Sequence, residues 1–141
     1  MSSASTYEII DHTADLGIIV KGPDVEQLFI RAALAMTELM VKGNSSDIVS
    51  TSEVVVQGED FPDLMVRWLG EILYLFEGED LIVHSIEIKS IGPMQLQATL
   101  TLSSFEPERH QALREIKAVT YHGISVGKAN SGWEARVIFD I

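Results

Sequence analysis

Helical and extended periodicity fall in different parts of this chain, and that segregation is what most limits the folds open to it. In residues 25–41 the apolar side chains Val25, Leu28, Phe29, Ala32, Ala35, Met36, Leu39 and Met40 recur at spacings of three and four. That rhythm puts one buried stripe on an α-helix. Asp24 stands where an N-cap belongs, Glu26 and Gln27 occupy the first turn, and Gly43-Asn44 follows the helix end near Val41. Phe61, Leu64, Met65, Trp68, Leu69, Ile72, Leu73 and Phe76 repeat the rhythm behind a candidate cap at Asp60, with Asp63, Arg67, Glu71 and Glu77 on the opposite side. After Asp80 the period drops to two, and residues 82–91, 94–102, 116–121, 124–126 and 133–141 read as strands. A tight turn at Gly92-Pro93, a polar loop over 103–111 and a hairpin connection over 127–132 would join them. Earlier in the chain, residues 7–20 read as strand, polar interruption, strand. Residues 42–52 read as a loop with a short strand near Ile48, and residues 53–57 as a buried strand. Two amphipathic helices segregated from their strands predict an α+β fold, a two-layer arrangement of mostly antiparallel or mixed sheet rather than βαβ units. With 141 residues, 46% of them hydrophobic, the chain can bury one core, so a single domain over 1–141 is expected.

Charge and cysteine content narrow the function classes. Ten Lys and Arg against 21 Asp and Glu leave a net charge of −11, which repels the phosphate backbone that dominates nucleic-acid affinity. Strong direct nucleic-acid binding is therefore not expected. The chain has no cysteine, which removes disulfides, thiolate metal sites and cysteine nucleophiles together and fits a reducing compartment. Its apolar runs fall far short of the ~20 residues of a membrane helix, and the opening Met-Ser-Ser-Ala-Ser has neither a basic nor a hydrophobic signal region. A cytoplasmic monomer that does not engage membranes is the expectation.

The carboxylates are the one chemical constellation. Asp11-His12-Thr13-Ala14-Asp15 interrupts the first strand, and if extended it places Asp11, Thr13 and Asp15 on one face. Two carboxylates so placed can hold a hard cation or divide into acid and base. The plainer reading makes Asp11 a turn cap and Asp15 a solvated carboxylate at a strand edge. At the other end, Asp140 and Ile141 follow a strand-like run. If that strand is docked, Asp140 and the carboxylate of Ile141 form a pair of oxygen donors which, near Asp15, a divalent cation would neutralise. The alternative is that Ile141 fills a gap in the core. His84 and His110 lack partners at metal-ligand spacing, and phosphate loops, nucleophile elbows and zinc-protease motifs are absent. Trp68 and Met65 fall on the apolar stripe and read as core. Arg109, His110, Arg114 and Lys117 read as a solvated basic loop. A carboxylate-dependent metallohydrolase, with Asp15 and Asp140 as ligands and His12 or Asp11 as base, remains open alongside a binding module.

Five stretches also carry a resemblance. Residues 7–17, Tyr-Glu-Ile-Ile-Asp-His-Thr-Ala-Asp-Leu-Gly, with Glu26-Gln-Leu-Phe29 and Ala32-Ala-Leu-Ala-Met36 behind them, resemble the N-terminal signature of the archease family. Residues 116–126, Ile-Lys-Ala-Val-Thr-Tyr-His-Gly-Ile-Ser-Val, and the ending Val137-Ile-Phe-Asp-Ile141 resemble its C-terminal signature. The resemblance implies a small non-enzymatic accessory protein of an RtcB-type RNA ligase. Such a protein promotes guanylylation and turnover of the ligase in tRNA splicing and RNA repair. It also implies a metal site, usually assigned calcium, on Asp15, Asp140 and Ile141, with Asp11 and His12 as candidates to support those ligands from behind. A further role proposed for the family is modulation of another RNA-processing enzyme, such as a tRNA methyltransferase.

Overall fold

Both helices begin at the aspartates whose positions suggest caps. A computed structural model describes residues 7–11, 15–43 and 50–141. In it α1 spans Val25–Met40, and the Asp24 carboxylate accepts a hydrogen bond of 2.8 Å from the Gln27 N–H. α2 spans Phe61–Glu79, and Asp60 accepts likewise from the Asp63 N–H at 2.9 Å. Each bond satisfies one of the N–H groups that a helix start leaves without an intrahelical partner. α2 stops at Asp80, in the left-handed conformation.

The strands are β1 Tyr7–Asp11, β2 Asp15–Gly22, β3 Val41–Gly43, β4 Ser50–Gln57, β5 Leu81–Gly92, β6 Gln95–Ser104, β7 His110–Ala112, β8 Ala118–Val119, β9 Ser125–Ala129 and β10 Gly132–Asp140. They form three sheets: β1-β2-β10-β8, with β9 also on β10; β4-β6-β5; and the small pair β3-β7. Every pairing is antiparallel. The fold is α+β, two helices with several antiparallel sheets. Both helices touch strands of both larger sheets, which explains why α1 is buried over a wide arc that takes in Ala33 and Thr37 besides the Leu28-Ala32-Leu39 stripe. Trp68 lies fully buried where the helices meet, its indole N–H donating to the Phe29 carbonyl at 2.9 Å. Met65 is equally buried, as its place on the stripe implies.

Several boundaries differ from the sequence reading. Lys42 and Gly43 belong to β3, and Ser50 already opens β4, so the loop over 42–52 is shorter than expected; the short strand near Ile48 lies outside the described residues. The loop over 103–111 gives up its ends to β6 and β7, because His110–Ala112 finds β3 as a partner. Conversely, the strand expected over 116–121 shrinks to Ala118–Val119, the part that pairs with Phe139 and Asp140.

Candidate functional site

Asp15 opens β2 and Asp140 closes β10, and the ladder between these strands sets them directly opposite each other, in one unbroken register from Trp133↔Gly22 to Asp140↔Asp15. Directly opposed residues on antiparallel strands carry Cβ atoms roughly 4.5–5.5 Å apart, and like charges there disfavour the pairing. Asp15 is half-buried and Asp140 exposed. The Asp140 carbonyl accepts from the Lys117 N–H at 2.8 Å. Thr120 donates to the Ile138 carbonyl twice, from its backbone N–H at 3.0 Å and its hydroxyl at 2.9 Å. Segment 117–120 is thereby stitched along the edge of β10, which keeps Asp140 in place. The Ile141 side chain packs against the core. On the neighbouring strand, Gly17 leaves room for Ile138, whose Cδ1 lies 2.8 Å from where a Cβ would sit.

The Asp11 to Asp15 segment is not one extended stretch. Asp11 ends β1 opposite Leu16, and Asp15 begins the next strand, antiparallel to β1; the side chain of Asp11 lies outside what is described. His12 lies outside the described residues. Among those that are described, no three His, Asp or Glu side chains cluster closely enough to hold a metal; the pair the structure sets opposite each other is Asp15 and Asp140.

The basic loop dissolves into separate contacts. His110 is buried, its Nδ1 accepts from the Glu106 N–H at 2.9 Å, and its ring stacks on Phe105 with centroids 5.6 Å apart. The Arg109 guanidinium lies 3.5 Å from the Glu106 carboxylate, and the Arg114 guanidinium reaches the Leu39 carbonyl at 3.3 Å.

One constellation escapes the sequence reading. Asp63 accepts from the Tyr121 hydroxyl at 2.7 Å, from Arg67 Nε at 3.0 Å and from the Glu59 N–H at 2.9 Å. The Tyr121 bond, foremost, holds the Asp63 carboxyl below its usual range, and the same bond pushes the Tyr121 phenol up. Asp63 is the third residue of α2, and an acidic side chain there commonly reaches back over the helix start. That signal was legible; nothing in sequence pointed to Tyr121 as its partner, 58 positions away.

Comparison with known proteins places the chain among relatives. The profile of the Archease protein family matches residues 7–141. "Protein archease" of Methanosarcina mazei is 34% identical, covering 99% of both chains. The protein of the same name from Pyrococcus abyssi is 32% identical over 96% of this chain and 98% of its own. Among solved structures, Methanobacterium thermoautotrophicum Protein 1598 superposes with a TM-score of 0.81 at 30% identity, covering 96% of this chain and 99% of that one. A Thermotoga maritima structure described as an archease and possible chaperone shares the fold, with a TM-score of 0.64, 22% identity and coverage of 95% and 96%.

Proposed function

The chain belongs to the archease family, and from that premise we propose that it is a non-enzymatic protein cofactor of an RtcB-type RNA ligase. In this reading it promotes guanylylation and turnover of the ligase in tRNA splicing and RNA repair. The observation that supports the reading most directly is the cross-strand pair Asp15↔Asp140. Two carboxylates set opposite each other gain little for the fold on their own, whereas oxygen donors at that separation suit a hard divalent cation. Asp15, Asp140 and Ile141 would hold the cation, and calcium is the ion we assign. The bound ion would offset the repulsion within this carboxylate set while leaving the protein, of net charge −11, with an acidic surface. A basic, RNA-binding ligase is the electrostatic complement of such a surface, and complementary potential speeds encounter. The effect on the ligase is one of differential binding: the accessory protein favours the guanylylation-competent conformation of its partner.

The test is ligase guanylylation by GTP under multiple turnover, with no addition, with this protein, and with Asp15→Ala. Stimulation by the native protein that a folded Asp15→Ala loses is the expected result. A second reading, a chaperone-like modulator of another RNA-processing enzyme such as a tRNA methyltransferase, draws support from the Thermotoga maritima protein's description as a possible chaperone. It takes over if the native protein leaves guanylylation unchanged and co-purifies with such an enzyme instead.

A further inference from the structure

The two edges of the β4-β6-β5 sheet are treated differently. β5 carries Lys89 and two breaks in register, at Val83/Ser85 and Ile88/Ser90, and both a lysine and a bulge discourage a further strand from adding. β4 has neither. It pairs with β6 in an unbroken register over its eight residues, contains no Lys, Arg or Pro, and includes the run Val54-Val55-Val56, with Val55 57% exposed. Among the described residues nothing pairs with its other side. Such an edge presents backbone N–H and C=O groups in the spacing another strand requires.

Beside that edge lies a groove of about 470 Å³, lined by Val55, Val56 and Gln57 of β4 and by Arg67, Gly70 and Glu71 of α2. Gly70 sits in the interior of α2, where glycine weakens a helix, and a Cβ built on it meets nothing within 4 Å. Among the described residues no packing calls for a glycine there, and its missing side chain leaves the groove open. The charge around the groove is acidic. Glu71 lines it, Glu53 lies on the same strand, and Glu59 and Asp60 follow the end of β4. The one cation in the lining, Arg67, is already engaged by Asp63 at 3.0 Å.

We propose that the free edge of β4 docks an extended, basic segment of a partner protein, which joins the sheet as a fourth strand in the groove between β4 and α2. Main-chain hydrogen bonds to β4 would hold the segment. Alternate side chains would enter the space above Gly70, where Lys or Arg would meet Glu71, and the intervening ones would lie on the opposite face of the sheet, beside Val55 and Glu53. Charge favours this occupant over a second copy of the chain, since two bodies of net charge −11 repel each other. The surface is built from other elements than the Asp15↔Asp140 pair, and the inference does not rest on the ligase reading.

The test titrates isotope-labelled protein with three end-blocked heptapeptides: alternating Lys and Val, alternating Glu and Val, and a Lys-Val peptide with proline at alternate positions to remove backbone donors. The expected result is amide shift changes confined to residues 50–57 and 67–74 with the first peptide alone. Gly70→Leu, which fills the groove and suits the helix, should raise Kd at least tenfold, and Glu71→Lys should weaken the Lys-Val peptide. The proposal is overturned if no peptide shifts these amides, if the proline peptide binds equally well, or if Gly70→Leu binds like the native protein. Dimerisation through β4 in the absence of peptide would also overturn it, by making a second copy the occupant.

Discussion

At Asp63 one carboxylate ties the start of α2 to Glu59, to Arg67 and to the segment that carries Tyr121. Its lowered pKa means that the native state prefers the charged form more than the unfolded chain does. The stabilisation is therefore complete above the ordinary carboxylate range and is lost as pH falls through the lowered value. The raised pKa of Tyr121 acts at the other end: its contribution is complete below about pH 10 and disappears as pH rises through the raised value. Asp63→Asn should return the Tyr121 ionisation toward its ordinary value and flatten the acid limb of a plot of Tm against pH. The ultraviolet absorbance of tyrosinate, followed through an alkaline titration, measures the first effect. An unchanged Tyr121 titration would remove this bond from the account.

At the level of elements, the Asp15↔Asp140 pairing makes a prediction that separates its cost from its use. Asp140→Asn removes a like-charge opposition, so without divalent ions the variant should be about 0.2–1 kcal/mol more stable than the native protein. Calcium should raise the Tm of the native protein and leave that of Asp140→Asn unmoved, because only a ligand bound by the folded state shifts the equilibrium. Thermal unfolding with calcium and with a chelator checks both. The helices behind this site were legible residue by residue, since Asp24, Asp60 and the three-and-four stripes are local signals. β3 and β7 were not, because three residues each become strand only through a partner some 70 positions away. The site was legible in halves: Asp15 and Asp140 stood out as residues, but their opposition is a matter of long-range register that spacing cannot reveal.

Over the whole molecule, stability converges on the junction where α1 and α2 meet between the larger sheets. Trp68, fully buried and hydrogen-bonded to Phe29, links the two helices, and Phe61 connects Phe29 to Trp133 of β10 through ring contacts at 6.2 and 5.4 Å. Trp68→Ala should lose about 3–5 kcal/mol, the range for emptying a large aromatic site. Since both sheets lean on the same junction, the loss should appear as one shifted transition in urea rather than as two. A biphasic curve would show that the sheets unfold separately.

The opposition of β2 and β10 also sets the order of events during synthesis. β2 emerges early, and β10, which completes its far edge, follows on the order of ten seconds later at ordinary elongation rates. A pairing so distant in sequence forms late in folding, after most of the loop-closure entropy has been overcome. The ion proposed to lie between Asp15 and Asp140 would therefore arrive too late to speed folding. On the proposed reading it would act as a latch on the finished molecule, lengthening the native state's lifetime by slowing its escape.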